Sequence, residues 1–421
     1  MKVFKFGGAS VKDAEGVKNV VNILKRYAGE KIIVVISAMG KTTNALEKIV
    51  RASSYAEAEK LIKELELYHH MAMEACVKTE KWNTNAKSTL HKTFERLRTT
   101  VKDYPTENFD ERYDQIVSFG ELLSTQIVGY ALSDQNIPNM WMRAQNIVRT
   151  DSNFREGKVN FEMTQACFDT HVPEAFQFAD IITIEGFIGS TQDGKTTTLG
   201  REGSDYTAAI MAYCSNAESV TIWKDVPGVL NADPKWFDNT IKIDHLSYQD
   251  AIELAYYGAT VIHPKTIKPL QNKNIPLFVR SFIEPDAPGT RIDNDTSQLP
   301  VPCFIFKVNQ VLISLSPKDF SFIVEENMSR IFDILSHYKV KTNVMQNSAI
   351  NFSLCIDDDT DKVPALIEAL KNDFRVLYNK NLELVTIRYY DQATIDRVTI
   401  DKKLLLEHKS RYTVQLVMQN K

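Results

Sequence analysis

Four short strands of this chain are predominantly apolar, and each ends in a loop of small or polar residues. Val3-Phe4-Lys5-Phe6 runs into Gly7-Gly8-Ala9-Ser10, and Lys31-Ile32-Ile33-Val34-Val35-Ile36 into Ser37-Ala38-Met39-Gly40. Ile181 to Ile184 leads to Glu185-Gly186-Phe187-Ile188-Gly189-Ser190, and Val220-Thr221-Ile222-Trp223 to Lys224-Asp225-Val226-Pro227-Gly228. A continuously apolar strand is buried on both faces, as in a parallel sheet covered by helices. Parallel strands point their carboxyl ends the same way, so these loops gather on one edge, where open α/β sheets bind ligands. The expected class is α/β, with a mainly parallel central sheet.

The first loop suits phosphate. Glycine lacks a Cβ, so the backbone at Gly7 and Gly8 can approach an anion and aim N–H groups at it. A helix from about Ala14 to Tyr27, apolar at Val17, Val20, Val21 and Leu24, turns its positive end to the same place. Lys5 adds a full charge. The spacing is neither a Walker A loop nor a dinucleotide fingerprint, and an ordinary strand-to-helix turn would look the same.

A second loop, Thr196 to Thr207, opens another helix and carries Thr197, Thr198, Arg201, Ser204 and Asp205. Arg201 can grip a carboxylate or phosphate through two parallel hydrogen bonds. Taken singly, Ser204 and Asp205 also read as helix caps and Arg201 as a surface ion pair. Between the two loops, Tyr55 to Ser133 is almost all helical in pattern. One helix expected from Tyr113 to Leu132 carries Glu121 on an otherwise apolar segment. The adjacent His69 and His70 are expected at the surface and not as metal ligands.

A formal net charge of -4 in 421 residues argues against nucleic acid as a partner. The five cysteines have no CxxC pairing, which points to reduced thiols without a metal site or disulfide framework. No apolar run is long enough to span a bilayer. Met1 leads directly into a strand, so a cytoplasmic location is expected. Residues 283–302, rich in Pro, Asp, Asn and Gly, read as a linker. Beyond it the pattern is βαββαβ, a ferredoxin-like module.

The segments KFGGAS, FGELLST, GFIGS, TTTLGREGSDYTAA, WKDVPGV, NADP and YYGATVIHP, in this order, resemble the aspartate kinases of the amino-acid kinase superfamily. The resemblance implies a three-layer αβα kinase domain over residues 1–285, a linker over 286–302, and an ACT-type regulatory and dimerisation region over 303–421. It implies transfer of the γ-phosphoryl of ATP, with Mg²⁺, to the side-chain carboxylate of L-aspartate. A homodimer or higher homo-oligomer is the expected assembly, with an amino-acid effector left open.

Carried over by position, Lys5 and Asp205 are catalytic, Lys5 stabilising the phosphoryl group and Asp205 organising that lysine. Arg201 takes the α-carboxylate of aspartate and Glu121 its α-ammonium, supported by Thr43, Thr198 and Ser204. The nucleotide falls to Lys5, Gly7, Gly8, Ser10, Lys224, Asp225, Gly228, Lys235 and Thr260. No dedicated metal ligands are expected. Thr260 stands where relatives carry a lysine, and Lys224 or Lys235 is expected to supply that charge. At the regulatory end, Asn343 stands where lysine-regulated relatives have an acid, so lysine inhibition is expected to be weak or absent. A second ACT-like unit, using Phe304 to Val308 and Leu382 onward, reads as cut short, with only a charged segment (Asp391 to Arg411) and one strand left.

Two rivals remain at this level. A superfamily kinase acting on another acceptor would keep the glycine loops, but would not be expected to carry FGELLST with TTTLGREGSD. A non-enzymatic amino-acid sensor would keep the ACT module and lose Lys5, Arg201 and Asp205.

Overall fold

Strands along the first part of the chain are β1 (Lys2–Phe6), β2 (Ile32–Ile36), β3 (Asn139–Met142), β4 (Ile181–Glu185), β5 (Ile188–Ser190) and β6 (Thr196–Thr198). They are followed by β7 (Ser219–Lys224), β8 (Val229–Leu230), β9 (Lys242–Ile243), β10 (His245–Ser247), β11 (Leu277–Ser281) and β12 (Thr290–Asp293). Eight of them form one sheet in the order β10-β12-β11-β7-β1-β2-β4-β3, parallel except for the β11–β12 pair. This computed structural model describes residues 1–104, 108–237, 239–259, 262–296, 301–319 and 321–421.

Alternation along β1 and β2 sorts their side chains onto two faces. Phe4, Phe6, Ile32, Val34 and Ile36 join the core beneath α1 (Ala14–Lys25). That core extends through α2 (Thr42–Arg51), α3 (Tyr55–Cys76), α4 (Glu80–Asp103), α5 (Phe109–Val117) and α6 (Phe119–Asp134). Each such aliphatic side chain contributes about 1.5–3 kcal/mol when fully buried. The residues between them, Lys5 included, face the other way, where α8 (Gly203–Ser215) packs on β1, β2 and β7. The result is the expected αβα arrangement, and it places Lys5 on the face of the sheet that α8 covers.

The structure departs from the sequence reading in several places. The helix expected from Tyr113 to Leu132 is two, because the chain turns at Ser118 between α5 and α6. His69 is not at the surface. It is fully buried in α3, with Nδ1 2.8 Å from the Leu65 carbonyl and Nε2 3.4 Å from Thr42 Oγ1. Its burial holds its pKa down to about 4, so it is a neutral core residue. The stretch expected as a linker contains β12, whose Ile292 and Thr290 are fully buried, with the Thr290 hydroxyl accepting the Val229 N–H.

Packing divides the chain into two units. One comprises Met1–Val229, Lys242–Ile252 and Val261–Ser297, the other Leu230–Ile241, Glu253–Thr260 and Gln298–Lys421. The second contains β13 (Cys303–Pro317), α11 (Glu325–His337), β14 (Thr342–Asn347), β15 (Phe352–Asp357), α12 (Lys362–Asp373) and β16 (Phe374–Arg388). It ends with α13 (Gln392–Thr399), β17 (Lys402–Lys409) and β18 (Thr413–Asn420), and its antiparallel sheet runs β14-β15-β13-β16-β18-β17. The first six of these elements are the βαββαβ module. β13 and β16 are 15 residues each, and their register shifts between Lys307 and Gln310. Beyond that shift they pair as a second section of sheet, completed by β18 and β17. The charged segment from Asp391 to Arg411 is therefore ordered structure: Asp391 caps α13 through the Thr394 N–H at 2.8 Å, and β17 follows. This section has one helix where a complete βαββαβ repeat has two.

Candidate active site

Lys5 is the penultimate residue of β1, in register with Val35 of β2 and Ile222 of β7. Its Nζ lies 2.6 Å from Asp205 Oδ1 in the first turn of α8, and Lys224 Nζ lies 4.0 Å from Oδ2 of the same carboxylate. Asp205 is thus held between two ammonium groups. The Lys5 ammonium also lies over Gly7, 3.4 Å from where a Cβ there would stand. At Gly8 a Cβ would fall 2.7 Å from the Ala38 carbonyl oxygen, so no side chain fits without moving backbone. That closeness is fixed by the Gly40 N–H donating to the Gly8 carbonyl at 3.0 Å and Ser37 N–H to Phe6 at 3.1 Å. The Ser10 hydroxyl donates to the Trp223 carbonyl at 3.4 Å. The loops after β1, β2 and β7 are joined into one edge with a cationic centre.

Glu121 lies in the first turn of α6 and is 4% exposed. Its Oε1 accepts the Ala38 N–H at 3.2 Å, while Oε2 has no partner among the described residues. Burial pushes its pKa up to about 8, the Ala38 N–H opposes this, and the Glu185 carboxylate adds to it while Lys5 pulls it back. A carboxyl in this state gains a great deal from an arriving cation.

Thr198 ends β6 and is gripped by Asp114, which is fully buried. Asp114 accepts the Thr198 N–H at 2.8 Å, its hydroxyl at 2.7 Å and the Arg155 N–H at 2.8 Å. Ser204 is buried against Gly186, where a Cβ would stand 2.5 Å from Ser204 Oγ. Arg201 is exposed, between Gly200 (φ 76°) and Glu202 (φ 54°), and forms no ion pair among the described residues. Thr43 is half-buried near the start of α2.

The remaining sequence candidates stand differently. Asp225 is exposed, and Gly228 (φ 152°) packs against Thr290, 2.6 Å from a Cβ position to Oγ1. Lys235 belongs to the second unit, where its N–H meets Asp233 Oδ1 at 2.9 Å. Thr260 lies outside the described residues. The sequence reading missed Asp114 and Glu185; Glu185 closes an apolar strand and so needs a buried partner, whereas Asp114 sits in a polar helix that gives no such signal.

A parallel αβα sheet with a buried lysine just before a glycine turn at its carboxyl edge suits a phosphate-bearing small molecule. The chain belongs to the amino acid kinase family, whose model matches residues 1–281. It is 28% identical over 397 residues to lysine-sensitive aspartokinase 3 of Escherichia coli K12, covering 91% of this chain and 86% of that one. To aspartokinase 1, chloroplastic, of Arabidopsis thaliana it is 31% identical over 369 residues, covering 84% of this chain and 63% of that one. The structure of E. coli aspartokinase III in complex with aspartate and ADP superposes with a TM-score of 0.84 at 25% identity, covering 99% of this chain and 96% of that one.

Proposed function

We infer that this chain is an aspartate kinase, which phosphorylates the side-chain carboxylate of L-aspartate to give 4-phospho-L-aspartate and ADP. This is the first step toward lysine, threonine and methionine. The observation that carries the reading is the Lys5–Asp205 pair over the Gly7-Gly8 turn, supported by the likeness to aspartokinases along nearly the whole chain.

The acceptor carboxylate has a pKa of about 4, so it is ionised at neutral pH and needs no general base. One of its oxygens attacks the γ-phosphorus, the bond to the β,γ-bridging oxygen breaks, and ADP leaves with that electron pair. Lys5 neutralises charge on the transferring group, and the Gly7 and Gly8 backbone lets the phosphates approach. Asp205 holds the Lys5 ammonium in place. Arg201, without an ion pair of its own among the described residues, takes the α-carboxylate. Glu121, with one oxygen unpartnered, takes the α-ammonium. Thr43, Thr198 and Ser204 line the acceptor's position.

Lys224 adds charge on the nucleotide side, with Ser10, Asp225, Gly228, Lys235 and Thr260 as further nucleotide residues. Because Asp205 is already held by two lysines, Mg²⁺ enters with the substrate as MgATP. We assign residues 1–285 to catalysis and 303–421 to regulation and homodimerisation, in a cytoplasmic enzyme. Asn343 favours weak inhibition by lysine: its side chain is engaged by Lys307 at 2.8 Å, Gln310 at 2.8 Å and Asp357 at 3.0 Å.

The test is ADP release from MgATP with hydroxylamine trapping the acyl phosphate. Hydroxamate formed with aspartate, not with glutamate, and lost in Lys5→Ala is the expected result. Turnover on another acceptor, or none by a folded ATP-binding protein, would overturn the assignment.

A further inference from the structure

On the catalytic unit a separate cavity of about 160 Å³ opens between α4, α6 and the loop after β3. Its polar wall is made by Arg96, Arg143, Gln115, Gln145, Thr196 and Glu185, and it does not include Lys5, Arg201 or Asp205. We propose that this cavity binds a small dianion, an inorganic oxyanion or a short dicarboxylate, through Arg143 and Arg96.

Arg143 is short of acceptors. Among the described residues its Nε is buried without a hydrogen-bond partner, and the nearest carboxylate oxygen, Glu185 Oε1, is 3.7 Å away, an ion-pair distance beyond hydrogen-bond reach. That carboxylate is already occupied, by Trp141 Nε1 at 3.0 Å and the Ala144 N–H at 2.7 Å. One arm of the guanidinium reaches Gln145. Arg96 forms no ion pair among the described residues and lies 6.0 Å above the Phe119 ring. Burial weakens the hold of Arg143 on its proton, Glu185 opposes this, and the repulsion of Arg96 adds to it.

Two guanidinium groups thus share a cavity with one carboxylate, leaving excess positive charge. The neighbouring amides do not relieve it: Gln115 donates to the Thr196 carbonyl at 2.9 Å and Gln145 to the Thr196 hydroxyl. A planar or tetrahedral anion supplies the missing acceptors in the geometry a guanidinium fork prefers. The space, about 160 Å³ and open to solvent, admits sulfate, phosphate or a four-carbon diacid.

The experiment is calorimetric titration at constant ionic strength, with sulfate, phosphate and succinate as probes. Saturable binding of at least one probe by the wild type is expected, retained in Lys5→Ala and weakened about tenfold or more in Arg143→Gln. Arg143→Lys, keeping charge without the fork, should fall between. Preference for succinate over both oxyanions identifies the dicarboxylate as the ligand class, and the reverse identifies the oxyanion. Should Arg143→Gln not fold by circular dichroism, the exposed Arg96→Gln decides in its place. Binding that survives both arginine substitutions, binding lost only in Lys5→Ala, or no saturable binding of any probe would each overturn the proposal.

Discussion

Lys5 Nζ stands 2.6 Å from Asp205 Oδ1, tying the glycine turn after β1 to the first turn of α8. Both side chains are nearly withdrawn from solvent, Lys5 at 8% and Asp205 at 3%. A buried pair of this kind gives little net stability, but removing one partner strands the other charge. Asp205→Ala should therefore lose about 3–5 kcal/mol in urea denaturation. Asp205→Asn, which keeps an acceptor, should lose less. Both should lower kcat by about 10²–10³-fold in the hydroxamate assay, through misplacement of Lys5.

Glu121 predicts a pH dependence. With its pKa pushed up to about 8, kcat/KM for aspartate should rise from pH 6 and level off above that value, as the carboxylate becomes available to the α-ammonium. In Glu121→Gln the inflection should vanish and KM for aspartate should rise. Stability should move the other way. The folded pKa lies above the ordinary 4.5, so the favourable contribution is complete below pH 4.5 and is lost as pH rises through about 8. Urea titrations at pH 5 and pH 8 should differ in the wild type, and by less in Glu121→Gln.

Glu185 shares that low-dielectric region and raises the Glu121 pKa by its negative charge. Glu185→Gln should shift the kcat/KM inflection to lower pH, measured over pH 6 to 9 at saturating ATP. An unchanged inflection would show that burial alone sets it.

Asp114 holds Thr198 by two hydrogen bonds and Arg155 by a third. Asp114→Ala leaves these donors unpaired, each costing about 1–3 kcal/mol where buried. On the proposed placement of Thr198 beside the acceptor, KM for aspartate should rise more than kcat falls. Equal kinetics with lowered stability would make Asp114 purely structural.

Gly8→Ala would drive a methyl into the Ala38 carbonyl oxygen, 2.7 Å away. The loop must shift, at a cost of about 1–3 kcal/mol. KM for ATP should rise more than KM for aspartate, with a lower melting temperature by scanning calorimetry.

Much of the architecture could be read from the chain because buried parallel strands have no polar face. Val3 to Phe6, which carries Lys5, and Ile32 to Ile36 are unambiguous, and the loop after the first of them carries Gly7 and Gly8. Glu325–His337 has helix periodicity and forms that helix. What escaped reading depends on partners distant in sequence. His69 reads as polar, yet α3 turns it into the core beside Thr42. Asp114 is one acid on a helix until β6 arrives beside it. The 283–302 stretch is rich in loop formers, and only its pairing with β11 and β10 makes Thr290–Asp293 a strand. Asp391 to Arg411 reads only as a charged segment before a last strand, because short amphipathic elements on a sheet's outer section carry little apolar periodicity.

The way the chain is shared between the two units bears on how such a protein could arise or be rebuilt. Leu230–Ile241 belongs with residues that come after 298: the Asn231 carbonyl accepts the Phe304 N–H at 2.7 Å, and its side chain donates to the Pro302 carbonyl at 3.1 Å. Trp236 stacks on Phe306 with ring centroids 6.0 Å apart. A single cut near residue 285 would leave that segment without its partners, so the C-terminal module cannot be exchanged like a bead on a string. A graft from another relative would have to bring its own version of this segment, inserted far upstream of the junction.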